Sequence, residues 1–205
     1  LVVAGPGLLQ KTTNKKNKST WHWKTNYTIS NYCILFNVGK YKTVTKEYTT
    51  VNGNKVPMVF YVLEEHAEKA PHLLEMLERT CRILEKYFGE YPWIKEKIGL
   101  CETPHLGMEH QTLIAYGNKF QYTKLGGEDF DWLLNHEFGH EWWGNKVTNS
   151  DWAHMWIQEG ICSYGDALYY RDMEGEASYQ ARMREIARSQ NSNIPVVRGE
   201  EVDSD

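Results

Sequence analysis

The segment His136-Glu137-Phe138-Gly139-His140 restricts this chain more than any other stretch of it. Four-residue spacing in a helix puts both imidazoles on one face, about one turn apart. Two metal ligands can therefore come from one rigid element, with a glutamate beside them, which is the HExxH pattern of a zinc site. A catalytic zinc takes three protein ligands and leaves a fourth position for water. Glu159 is the candidate third ligand: it follows His140 after 18 intervening residues, enough for the chain to leave one helix at Gly144-Asn145, turn, and present a carboxylate from the next. Glu137 then lies beside the ion without binding it, placed as a general base for a water and later as the acid for a leaving amine. Composition alone produces an HExxH in roughly a few per cent of chains of this size, and Glu159 within Trp156-Ile157-Gln158-Glu159-Gly160 makes an accident improbable.

The 205 residues, 41% hydrophobic, suffice for a sizeable core and one full domain, with part of another. A formal charge of -4 without a long Lys/Arg run argues against nucleic acid and against an anionic membrane surface. No apolar run reaches the length of a membrane span, and no targeting segment is visible to assign a compartment. The first nine residues read as a strand in a cut chain. Cys33, Cys81, Cys101 and Cys162 are scattered in apolar surroundings and read as buried free thiols in preference to disulfides.

Strand patterns dominate residues 1–63: 21–29, 32–38, and 42–51 joined through Asn52-Gly53 to 56–63 as a hairpin. Lys11 to Lys18 reads as a polar loop. Helical spacing then predicts a one-faced helix over 64–88, with Pro71 near its start and Gly89 at its end. Short strands are expected at 98–100 and 108–116, and helices at 128–143, 155–171 and 174–189, the first stopped by Gly144-Asn145. The last 15 or so residues read as an unfinished connection. Strands first, with an antiparallel hairpin among them, and helices after give an α+β fold.

The interval from His136 to Glu159, with Trp-x-x-Glu-Gly around the third ligand, resembles the gluzincin zinc aminopeptidases, the family of aminopeptidase N and leukotriene hydrolase. The likeness extends through Trp142, Gly144-Asn145, Val147-Thr148-Asn149 and Trp152. Upstream, Leu106-Gly107-Met108-Glu109-His110 resembles that family's Gly-x-Met-Glu-Asn signature, in which the strand backbone pairs with the bound peptide and the glutamate binds the substrate's free α-amine. The resemblance thus implies one Zn2+ ion on His136, His140 and Glu159, Glu137 as general base, and Gly107, Met108 and Glu109 as substrate-binding residues. It implies removal of N-terminal amino acids from peptides that carry a free N-terminus. Without the resemblance, Glu109 reads as a solvated strand carboxylate. Leu106 and His110 depart from the signature; the first bears on side-chain preference, the second reads as structural.

The resemblance further implies a thermolysin-like catalytic domain of mixed sheet plus helices, C-terminally incomplete, over residues 41–205, preceded by the end of an all-β domain over 1–40. A catalytic tyrosine is expected about 60 residues after the third ligand, beyond Asp205, where it stabilises an oxyanion; Tyr164, Tyr169, Tyr170 and Tyr179 do not match that position. The chain is accordingly expected to be a fragment whose site the remainder of the parent protein completes. Two other readings stay open: a zinc endopeptidase or leukotriene-hydrolase-like bifunctional enzyme, and, for this stretch alone, a zinc- or peptide-binding module of little activity. Glu141 reads as a solvated acid or one bracing the site from behind, His154 as a core residue, and His22, His66, His72 and His105 as surface or structural.

Overall fold

The computed structural model describes residues 1–189 and 195–197, so most of the connection expected over the last residues lies outside it. The N-terminal part contains β1 (Val2–Ala4), β2 (Leu8–Lys15), β3 (Lys18–Lys24), a 3-10 turn at Asn31–Cys33 and β4 (Asn37–Gly39). β1 pairs with β4 and β2 with β3, both antiparallel. Then follow β5 (Tyr41–Thr49), β6 (Lys55–Leu63), a 3-10 segment Glu64–Lys69, α1 (Ala70–Phe88), β7 (Ile98–Glu102), β8 (Gly107–Met108) and β9 (Ile114–Tyr116). β10 (Thr123–Leu125) and β11 (Glu128–Phe130) form a hairpin before α2 (Trp132–Gly139), a 3-10 segment Trp152–Ile157, α3 (Glu159–Glu174) and α4 (Glu176–Ser189).

The central sheet runs in the order β5-β6-β7-β9-β8. β6, β7 and β9 are parallel, while β5 and β8 close the two edges antiparallel, giving the mixed sheet of an α+β fold. Period-two alternation in β6 explains why the sheet needs cover on both faces. Val56, Met58, Phe60 and Val62 point to one side, where they meet Leu73, Leu77 and Leu84 of α1 and Leu133, Leu134 and Phe138 of α2 in the principal core. Val59 and Tyr61 point to the other, where Ala4 and Trp23 of the N-terminal strands pack on them. Lys97 fastens that second layer, its buried ammonium donating to the carbonyls of Gly5 (2.8 Å) and Gly7 (2.5 Å). All four cysteines are buried and free. No helix among the described residues is long and apolar enough to cross a membrane.

Several sequence-based expectations need correction. Residues 128–130 are strand, not helix, because Gly126 and Gly127, at φ +60° and +82°, turn the chain back to pair β10 with β11. α2 begins only after Asp131, whose carboxylate caps it by accepting from the Leu134 amide at 3.1 Å. It also ends early, at Gly139: beyond it the backbone bonds widen to Asn145 N to His140 O (2.9 Å) and Val147 N to Trp142 O (3.0 Å), a turn rather than a helix. The expected strand 32–38 is mostly the Asn31–Cys33 turn and loop, with strand only from Asn37, and the strand expected over 21–29 stops at Lys24. Lys11 to Lys18 is no loop but the end of β2, a turn at Lys16 (φ +51°) and the start of β3; largely exposed on both faces, this ribbon has no apolar alternation to betray it. The strand expected over 108–116 is β8 and β9 with a connection between them, and the helix expected over 64–88 is a 3-10 segment until Ala70. Likewise the helix expected from 155 starts at Glu159, after a 3-10 segment, and α4 starts at Glu176.

Leu77 is fully buried where α1 meets the sheet. Leu77→Ala is expected to lower unfolding stability by about 2–5 kcal/mol in denaturant titration; a loss below about 1 kcal/mol would contradict this packing.

Candidate metal and substrate site

α2 buries Leu133, Leu134 and Phe138 in the core, and the same helical geometry leaves His136 and His140 side by side, ring centroids 4.9 Å apart and planes at 87°. Each ring is held from behind at Nδ1. The Asp166 carboxylate of α3 lies 3.1 Å from His136 Nδ1 while its other oxygen accepts from the Asn135 amide at 2.6 Å. The Trp143 carbonyl lies 2.9 Å from His140 Nδ1, with the Cys162 thiol at 3.1 Å. With both Nδ1 atoms engaged, both Nε2 atoms face Glu159 at the start of α3, at 3.3 Å (His136) and 3.7 Å (His140) from one carboxylate oxygen. Gly144 adopts φ +134° in the turn that follows, and any side chain there would press on His140 Nδ1 at 3.3 Å.

His136, His140 and Glu159 thus each bring one ligand atom to within 4.8 Å of the others. Two imidazole nitrogens and a carboxylate oxygen suit zinc and neighbouring first-row divalent ions. The local field asks for a cation as well. Burial opposes charging His136, yet the hydrogen bonds to Asp166 and Glu159 outweigh it and raise its pKa to about 10. Glu159, bonded to His136, is held below the usual carboxylate range. A metal ion can take the place of that proton.

A second set, Glu109, Glu137 and His140, also converges within 4.8 Å. Glu137 is buried, and burial, reinforced by the charge of Glu109, pushes its pKa up to about 8. It sits against the edge strand: a Cβ on Gly107 would lie 2.5 Å from Glu137 Oε1 and 2.7 Å from Leu133. A side chain there would displace the Glu137 carboxylate and the end of Leu133. Met108 is half-buried beside it. Glu109 is not solvated but buried. Its carboxylate accepts from the Tyr32 phenol at 3.0 Å and its carbonyl from the Asn145 amide at 2.9 Å.

Glu141 is no solvated acid either. It is wholly buried, accepting from Trp93 Nε1 (2.7 Å), Thr112 N (2.9 Å), Asn145 Nδ2 (2.9 Å) and the Tyr91 phenol (3.2 Å). Burial pushes its carboxyl up to about 7 against the pull of those four donors. His110 is buried, which lowers its pKa to about 4. His66 pairs with Glu102 at 2.6 Å and His72 with Asp129 at 3.0 Å, both apart from the metal set. Sequence reasoning missed Asp166, Cys162, Asn145 and Tyr32 as contributors. Asp166 carries a usable signal, standing seven residues after Glu159 and so on the same helix face. The contacts of Cys162 with His140, Tyr32 with Glu109 and Asn145 with Cys33 span 22, 77 and 112 residues, with no local pattern.

Residues 72–200 match the Peptidase family M1 domain, and the chain belongs to that family. It is 27% identical over 155 residues to aminopeptidase N of Escherichia coli (strain K12), covering 71% of this chain and 18% of that protein. To glutamyl aminopeptidase of Bos taurus it is 26% identical over 148 residues, covering 68% of this chain and 15% of that protein. The chain therefore spans less than a fifth of these relatives. Its fold is that of an M1 zinc metallopeptidase from Deinococcus radiodurans, with a TM-score of 0.76 at 21% identity over 94% of this chain and 42% of that one.

Divalent-metal content is expected to vanish in His140→Ala. In Asp166→Ala, which leaves His136 without its orienting partner, affinity is expected to fall by about 10- to 100-fold. Elemental analysis and chelator competition measure both, and unchanged affinity in either variant would contradict the ligand set.

Proposed function

We propose that this chain carries the metal centre and the amine-binding acid of a zinc aminopeptidase, an enzyme that removes N-terminal residues from peptides. The observation that carries this reading is a buried carboxylate, Glu109, converging with Glu137 and His140 beside the His136, His140 and Glu159 set. Zinc held by that set supplies Lewis-acid polarisation of a water and of the scissile carbonyl. Glu137, whose raised pKa suits proton exchange near neutrality, takes the proton of the attacking water and returns it to the leaving amine. Glu109 binds the substrate's α-ammonium, and a charge-assisted bond in a dry site rewards a free N-terminus over a blocked one. β8 pairs with β9 along one side only and forms the edge of the sheet, so the Gly107 and Met108 backbone is positioned to extend the ladder to a bound peptide. Such an acid disfavours the interior peptide bonds an endopeptidase cleaves, which sets that reading second.

In the same reading residues 1–40 end an N-terminal β domain and residues 41–205 open the catalytic one; the start of the central sheet at Tyr41 supports this division. The four tyrosines after Glu159 are engaged elsewhere: Tyr169 accepts from Arg79 and packs, like Tyr170, on Phe130, while Tyr164 and Tyr179 stack edge to face.

The test is hydrolysis of aminoacyl reporter substrates and their N-acetylated counterparts by the full-length protein, with and without chelator. Chelator-sensitive cleavage of free-amine substrates is expected; equal cleavage of the blocked ones would remove the aminopeptidase assignment. Glu137→Gln is expected to lower kcat by about 10²- to 10⁴-fold with metal retained. Gly107→Ala, whose new methyl meets the Glu137 carboxylate, is expected to lower kcat by up to about 10²-fold, also with metal retained. Full activity in Gly107→Ala would show that the close approach of β8 to Glu137 has no part in the reaction.

A further inference from the structure

Glu109 poses a problem that the metal ligands do not share. It must keep a buried carboxylate close to a second one, Glu137, with ligand atoms within 4.8 Å, and it must present that charge in a fixed direction. Repulsion between the two would turn Glu109 aside unless a donor holds it. A lysine or arginine there would hold it but would also repel an incoming ammonium. The structure supplies a neutral donor instead, the phenol of Tyr32, from the Asn31–Cys33 turn 77 residues upstream.

We infer that Tyr32 is a positioning residue for the amine-binding acid: its hydroxyl fixes one oxygen of Glu109 so that the other is left for the substrate's α-ammonium. Three features separate this from packing. Tyr32 is 37% exposed and its ring is already seated edge-on against Trp152, centroids 5.1 Å apart, so a phenylalanine would pack equally well and only the hydroxyl is in question. The Glu109 backbone is held independently, its carbonyl accepting from Asn145, whose own side-chain oxygen accepts from the Cys33 thiol at 2.9 Å. Losing the phenol therefore frees the side chain of Glu109 and not its backbone. Finally, the Trp152 ring that seats Tyr32 opens the 3-10 segment leading directly to Gln158 and Glu159. One N-terminal turn thus touches both the amine-binding acid and the segment that delivers the third metal ligand.

This inference rests on the proposed role of Glu109, and the experiment separates the two. The full-length zinc-loaded protein is titrated with leucine hydroxamate and with its des-amino analogue, 4-methylpentanoyl hydroxamate, in wild type, Tyr32→Phe, Glu109→Gln and the double variant. Wild type is expected to prefer the amine-bearing compound, and Glu109→Gln to erase the preference. Tyr32→Phe is expected to reduce the preference by about tenfold, with the affinity for the des-amino compound and the zinc content unchanged. In the Glu109→Gln background the same substitution is expected to do nothing more, since the phenol acts through that carboxylate. With aminoacyl 4-nitroanilides the loss is expected in KM rather than kcat. A Tyr32→Phe protein that keeps the full preference, weakens both hydroxamates alike, or adds its effect to Glu109→Gln overturns the role of Tyr32 while leaving that of Glu109 standing. A Glu109→Gln protein that keeps the preference overturns the amine-binding role itself, and the inference with it.

Discussion

The Nδ1 atoms of His136 and His140 are both taken from behind, by the Asp166 carboxylate and the Trp143 carbonyl, and the rest of the site depends on that engagement. An imidazole committed at Nδ1 has only Nε2 to offer, so the tautomer and the ring direction are decided together. Both Nε2 atoms then meet at the Glu159 carboxylate. Asp166 and Glu159 come from the same helix, α3, so one element supplies a candidate ligand and orients another. The early end of α2 serves the same purpose: a continued helix would have used the carbonyls near His140 for its own ladder and could not have folded Trp143 back onto the ring. Gly144, in a backbone conformation that side chains rarely adopt, makes that return possible.

Four carboxylates, from Glu109, Glu137, Glu159 and Asp166, gather around two imidazoles, and their positions divide the work. Those bonded to the imidazoles raise the demand for a cation between them. Glu137, pressed against Gly107 and outside the His136, His140 and Glu159 set, keeps a raised pKa. Glu109 stands at the end of the sheet edge where a peptide backbone can lie. Asn145 joins these parts, since its amide nitrogen donates both to the Glu109 carbonyl and to the buried Glu141. Through it Glu109, just past β8, is referenced to the turn that follows His140.

The convergence of His136, His140 and Glu159 is legible from spacing because its logic is local: i and i+4 on a helix, then a carboxylate from the next. The hairpin at Asn52-Gly53 and helix α1 were legible for the same reason, their periodicity being written in consecutive residues. Glu128 to Phe130 was misread because its acids suit a helix start, whereas the two glycines before it and the Asp131 cap decide otherwise. Tyr32 and Cys33 look like strand residues by type, yet a turn aims both inward at groups 77 and 112 residues away. Glu141 reads from its position as either solvated or bracing the site, and only the convergence of Tyr91, Trp93 and Thr112 on it decides against the first. Long-range side-chain pairing of this kind leaves no period to read.

Because His140 belongs to both convergent sets, the location of the ion is the point on which the chemistry turns. Anomalous-difference maps recorded on either side of the zinc absorption edge, from crystals of the zinc-loaded protein, locate it directly. A single peak bonded to His136 Nε2, His140 Nε2 and Glu159, with Glu137 and Glu109 outside bonding distance, is the expected result. A peak bonded instead by Glu109, Glu137 and His140, or no zinc peak at either set, would contradict the assignment of ligand, base and amine anchor together.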